Sequence, residues 1–281
     1  MNKCKTRILD VLKQNLSVSD SIYLDDCHLK DIESNLFFPP YEEIDKRANS
    51  LRSSAAMIYN TIGPDSILFD GKHYSKIEYE RKFPALNNDD QSGHDHSAHL
   101  DVSMMSDDLS ELILIEAKCL EWFDNPKSMS IAYLSPKCYL TDTGKAVPHF
   151  IESFRSLKSC PELKDPKDGT RILPYYRIYD AIQMNIHILG IYNYCSQKKE
   201  KVPPKIRLIN IVWDYDKAEE YQVEEQEGKE YVSFANVTFR NLFKQLGIDF
   251  SVEYVRYSDF LNRVDWSNDM EHRSYLKRYE V

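Results

Sequence analysis

The chain has 281 residues, 42% of them hydrophobic, and a formal net charge of -9, a composition that suits a globular protein with a sizeable core and excludes a disordered or fibrous one. The acidic balance argues against a protein that coats nucleic acid non-specifically, because that binding relies on lysine and arginine displacing counterions from phosphates. No apolar run approaches the roughly 18 residues of a membrane span, and "MNKCKTRILDVLK" at the start has no apolar stretch after its basic residues, so a cytoplasmic protein with no membrane contact is expected.

Residues 1–40 read as an N-terminal arm, helical or irregular, that stops at "FFPP" because proline cannot continue a helix. "YEEIDKRANSLRSSAAMIYNTIG" spaces Leu51, Ala55, Ile58 and Ile62 as a helix does, up to the break at Gly63-Pro64. "SKIEYERKF" alternates Ile77 and Tyr79 with Glu78 and Glu80, the pattern of a half-exposed strand. A polar loop over 87–98 leads into "LDVSMM" and "ELILIEAKCL", two strands joined at "SDDLS" in a hairpin.

Residues 124–174 are rich in Pro, Lys, Asp and Ser and are expected to run over the surface, with a short helix near "PHFIESFRSL". The longest helical stripe is Ile178, Ile182, Ile186 and Leu189 in "YYRIYDAIQMNIHILGIYNYCS", ending at "QKKEKVPP". "KIRLINIVWDY" follows as a buried strand, "EGKEYVSFANVTFRNLFKQLG" as a helix closed by Gly247, and "DFSVEYVRYSDFL" as a last strand. This order gives one α/β domain over 1–281, a mixed sheet of about five strands flanked by helices, without a repeat or a domain boundary. The six cysteines, Cys4, Cys27, Cys119, Cys138, Cys160 and Cys195, form no C-x-x-C pair and read as buried or incidental thiols.

The stretch "LILIEAKCLEWF" places a glutamate and a lysine in an otherwise apolar strand. Residues two apart share a face, so Glu116 and Lys118 project to one side and Ile113, Ile115 and Ala117 to the other. A turn near Asp108 sets Asp101 about opposite Ile115, within one residue of Glu116. Two converging carboxylates suit a hard cation, and a lysine beside them suits the developing charge of a phosphodiester hydrolysis. A salt bridge on a solvated strand is the plain alternative for Glu116 and Lys118, and a turn residue the plain alternative for Asp101.

Asp101, fourteen intervening residues, and Glu116-Ala117-Lys118 resemble the D...(D/E)-x-K pattern of the PD-(D/E)XK nuclease superfamily. Its members place a helix before a three-stranded meander, carry Asp on the second strand and E-x-K on the third, and continue with a helix and a strand, an order that residues 48–215 reproduce. The resemblance implies a restriction-endonuclease-like core. It also implies a metal-dependent DNA endonuclease of restriction or repair type, similar to a stand-alone bacterial enzyme, that leaves a 5′-phosphate. Asp101 and Glu116 would then ligate Mg2+, with Mn2+ as a substitute and the Ala117 carbonyl as a third ligand, and Lys118 would activate or steer the attacking water. Gln183 falls where some members carry a Q-h-x-x-Y motif, here "QMNIH", so His187 stands in place of the tyrosine. Glu78, or Glu80, resembles an additional upstream acid of some members and completes the expected catalytic set. Leu100 stands where the pattern's name has proline.

DNA is the implied partner, and a homodimer would supply two active sites for cutting both strands. The segment from Arg155 to Arg177, with Tyr175 and Tyr176, is a candidate DNA surface or a solvated loop. The cluster "HDHSAH", with His94, Asp95, His96 and His99, holds imidazoles that transition metals accept, or is a polar loop without one. Two other readings stand beside the nuclease: a non-catalytic nucleic-acid or protein-binding module on the same fold, and a metal enzyme built on the histidines.

Overall fold

A computed structural model of the chain describes residues 54–63, 66–87, 97–119, 129–157, 171–172, 175–176, 178–198, 202–214, 219–267 and 270–276. The expected arm 1–40 and the residues His94, Asp95 and His96 lie outside these.

Eight strands are present among the described residues: β1 Ile67–Phe69, β2 Lys72–Pro84, β3 Ser97–Ser106, β4 Glu111–Lys118, β5 Met129–Ser130, β6 Arg171–Ile172, β7 Lys205–Val212 and β8 Asp249–Arg256. Six of them form one mixed sheet in the order β1-β2-β3-β4-β7-β8, and β5 pairs with β6 in a small second sheet. The four strands β1 to β4 run successively antiparallel, whereas β4–β7 and β7–β8 are parallel. The sheet therefore has six strands, not about five. The additional one is β1, whose three residues are too short to show alternation. Its hairpin turn is Asp70-Gly71, both at positive φ (51° and 75°), which is the backbone that a two-residue turn between twisted strands demands.

The helices are α1 Ser54–Ile62, α2 Val147–Ser156, α3 Ala181–Gln197, α4 Glu219–Lys244, α5 Tyr257–Arg263 and α6 Met270–Leu276. Two cores sandwich the sheet. On one face Leu112, Leu114, Ile206 and Leu208 pack with α2, α3 and α4; on the other Ile113, Ile115, Ile209 and Ile211 pack with α1 and α5. β4 is thus buried on both faces, which explains its unbroken "LILI". α3 is buried nearly all round, and its Gly190 lets it approach the sheet: a Cβ there would stand 2.8 Å from the Phe83 carbonyl oxygen. Its buried amides are satisfied. Asn185 donates to Ser153 Oγ (2.9 Å) and accepts from the Tyr231 hydroxyl (2.9 Å), and Asn193 donates to the Pro84 and Ala85 carbonyls (both 3.0 Å).

Two further expectations change. The described part of the segment expected on the surface, 129–157, joins the core through Met129, Tyr133, Tyr139, Phe150 and Phe154. Its short 3-10 turns have no period for a pattern to reveal. The last strand ends at Arg256, and Tyr257–Arg263 is helical: Tyr257, Phe260 and Leu261 are buried at helical spacing, and Asp214 accepts hydrogen bonds from Ser258 N (3.1 Å) and Oγ (2.8 Å) at the helix start. No helix among the described residues is long and apolar enough to cross a membrane.

Candidate functional site

The β3–β4 register pairs Val102 with Ile115, which sets Asp101 level with Glu116, one residue from the expected partner. Strand parity puts Glu116 on the face of Leu112 and Leu114, the face that α3 covers. Glu116 is 3% exposed, and each of its oxygens meets α3. Gln183 Nε2 donates to Oε1 (2.8 Å), and His187 Nε2, one turn further, stands 3.1 Å from Oε2. Lys118 Nζ lies 2.7 Å from Oε1. Asp180 caps α3 by accepting from Gln183 N (3.0 Å), which fixes the turn that carries Gln183. Gln183 and His187 therefore belong to the cluster. His187 is 2% exposed, its contact with Glu116 lacks hydrogen-bond alignment, and its Nδ1 is buried without a hydrogen-bond partner.

Asp101 accepts a hydrogen bond from Ala117 N at 2.6 Å through Oδ2, which binds it to the same end of β4. Opposite it on β2 is Glu80, between the pairs Tyr79↔Val102 and Arg81↔Leu100. Both strands change face here: Leu100 and Phe83 pack under α3, whereas Val102 and Tyr79 pack on the α1 side. Glu80 makes the crossover in the left-handed region, φ 49°, a conformation that costs a non-glycine residue about 1 kcal/mol or more. Glu78 does not join the site; its exposed carboxylate sits 3.2 Å from Arg81. Glu80, not Glu78, is the upstream acid beside Asp101.

The electrostatics follow from this packing. Burial, then the charges of Glu116 and Glu80, hold the Asp101 carboxyl well above the usual carboxylate range. Burial alone would raise Glu116 too, but Lys118 and then His187 outweigh it and hold that carboxyl at about 2. The two neighbouring carboxyls are thus pushed in opposite directions, Asp101 up and Glu116 down.

Among the described residues no three His, Cys, Asp or Glu side chains are gathered as a ready metal cluster. The donor set nonetheless fits a hard cation in chemistry. Asp101 and Glu116 supply carboxyl oxygens, and the Ala117 carbonyl follows Glu116 directly in sequence on β4, oxygen donors of the kind a hard cation takes. His99 lies on β3 opposite Lys82.

Three participants carried little or no signal in the sequence. Asn210 on β7, in register with Glu116, donates from Nδ2 to the Glu116 carbonyl (3.0 Å); a lone amide in "KIRLINIVWDY" was the available hint. Tyr179 and Glu224 complete a pocket that Glu116, Lys118, Gln183 and Asn210 also line, and nothing in "YQVEEQEGKE" distinguishes Glu224 from its acidic neighbours. No family model, no curated protein and no solved structure matches the chain.

Proposed function

We propose that the chain is a metal-dependent phosphodiesterase acting on DNA, built on a restriction-endonuclease-like core. The observation that carries this reading is the convergence of Asp101, Glu116 and Lys118, from two strands, on one end of β4. The element order around them, a helix, the antiparallel strands β2, β3 and β4, then α3 and β7, with β1 added before β2 and β5, α2 and β6 inserted before α3, agrees with the order the superfamily resemblance implies.

In this reading Asp101 and Glu116, with the Ala117 carbonyl, hold Mg2+ or Mn2+. The cation, when bound, polarises a phosphoryl oxygen and lowers the pKa of a water. Lys118, 2.7 Å from Glu116, would be the cationic group beside that site that orients an attacking water. Gln183 and His187 fix the Glu116 rotamer from α3, so the carboxylate is set before substrate arrives. Asn210 pins the backbone at the same residue.

A second reading has support of its own: a net charge of -9 suits a binding module that has kept the architecture without turnover. The two differ in metal dependence. Purified protein is incubated with plasmid and with single-stranded DNA in Mg2+, Mn2+ or EDTA. Cleavage with either metal and none with EDTA is the expected result; binding that EDTA leaves unchanged, without cleavage under any condition, supports the module instead.

A further inference from the structure

Glu224 is a buried carboxyl to which the mechanism above gives no task. It lies on α4 and is 2% exposed. The Tyr254 hydroxyl donates to its Oε2, and Glu224 forms part of the pocket wall with Glu116 and Lys118. Gly228, one turn along α4, makes this possible, because a Cβ there would collide with the Tyr254 ring.

The groups around Glu224 are Tyr254 from β8, Tyr221, Glu225 and Glu227 along α4, Tyr179 and Asp180 ahead of α3, and Glu116 and Lys118 from β4. Burial first, and then Glu227 and Glu225, push the Glu224 carboxyl up to about 8, while the Tyr254 hydrogen bond pulls it down. An ordinary glutamate is a base at neutral pH; this one keeps its proton.

Resting on the phosphodiesterase reading, we propose that Glu224 is the proton donor to the leaving oxygen. As the water oxygen bonds to phosphorus, the P–O3′ bond breaks, and the 3′ oxygen takes the Glu224 proton and departs as a hydroxyl. The phosphate stays on the 5′ side. The water proton passes to solvent, and Glu224 is reprotonated from solvent. An alkoxide is a poor leaving group, and a positioned acid with a pKa near the working pH is the donor that proton transfer favours.

The test is single-turnover cleavage with Mg2+ of two oligonucleotides, one normal and one with sulfur replacing the 3′ oxygen at the linkage that the wild type cuts. A thiolate leaves without a proton. Glu224→Gln, matched in shape and checked for its fold by circular dichroism, is expected to slow the oxygen substrate by about 10²–10⁴-fold and the sulfur substrate by less than about threefold. The wild-type rate should fall above about pH 8, where the proton is lost. Tyr254→Phe should move that fall to higher pH, and Glu224→Gln should abolish it. Equal slowing of both substrates, or of neither, overturns the role of Glu224 alone. A wild type that cuts nothing overturns the phosphodiesterase reading, and the donor role with it.

Discussion

Removing Lys118 should cost stability through the charge it leaves behind, not through the contact it takes away. Lys118 Nζ is 2.7 Å from Glu116 Oε1, with side chains 17% and 4% exposed, so Lys118→Met strands a carboxylate beside Asp101 that keeps the Gln183 hydrogen bond but loses its cation. Orphaning one member of a buried pair costs about 3–5 kcal/mol; the residual exposure of Lys118 brings the expected loss to about 2–3 kcal/mol. At roughly 2–4 °C per kcal/mol this lowers Tm by about 4–12 °C. Urea denaturation at constant m is the assay. Adding Glu116→Gln removes the stranded charge, so the double variant should recover at least about 1 kcal/mol over Lys118→Met. The sign with pH follows. With Lys118 present Glu116 is held at about 2, so its stabilisation is present above the ordinary carboxylate pKa and is lost as pH falls through 2. Without Lys118 Glu116 takes up a proton sooner, and the gap between variant and wild type should narrow from pH 8 to pH 5. Additive single and double variants, with coupling within about 0.5 kcal/mol, would refute the reasoning.

Glu224 gives the opposite pH dependence. Its carboxyl is raised to about 8, so its contribution to stability is fully present below the unfolded value of 4.5 and declines from there until pH passes 8; any advantage of Glu224→Gln over wild type in calorimetric scans should be greatest at pH 9, smaller at pH 6 and least below pH 4.5. Arg207, buried on β7, meets Glu253 at 2.7 Å and Asp70 at 2.8 Å, with Glu111 at 3.5 Å, and thereby fastens the β1–β2 turn to the strands across the sheet. Arg207→Met should cost about 3–5 kcal/mol in urea unfolding, and a loss below about 1 kcal/mol would mean that the three carboxylates find other partners.

The parts of this architecture that a sequence shows are those set by period. β4 was legible because four successive apolar residues lead into Glu116 and Lys118, and parity then set the two charges on one side together; which face of the sheet that is, the packing of α3 decides. The hairpin register was legible to within one residue. α3 was visible as a stripe, but its full burial was not, because Asn185, His187 and Asn193 look like surface until their partners are seen. The residues 129–157 were not legible, since short 3-10 turns bring aromatics into the core without repeating any spacing. Glu80 was inseparable from Glu78 by alternation alone; what distinguishes them is a backbone crossover at positive φ, which no pattern of apolar residues records. Asn210 and Glu224 come from elements far along the chain, and only the parallel β4–β7 pairing and the packing of α4 bring them to Glu116.

The most direct measurement of the central claim is cleavage of supercoiled plasmid with Mg2+ by wild type, Asp101→Asn and Lys118→Ala, each shown to be folded by circular dichroism. The account predicts nicked or linear product from the wild type and none from either variant. Cleavage by Asp101→Asn and Lys118→Ala at the wild-type rate would contradict it, and would place the chemistry elsewhere in the chain.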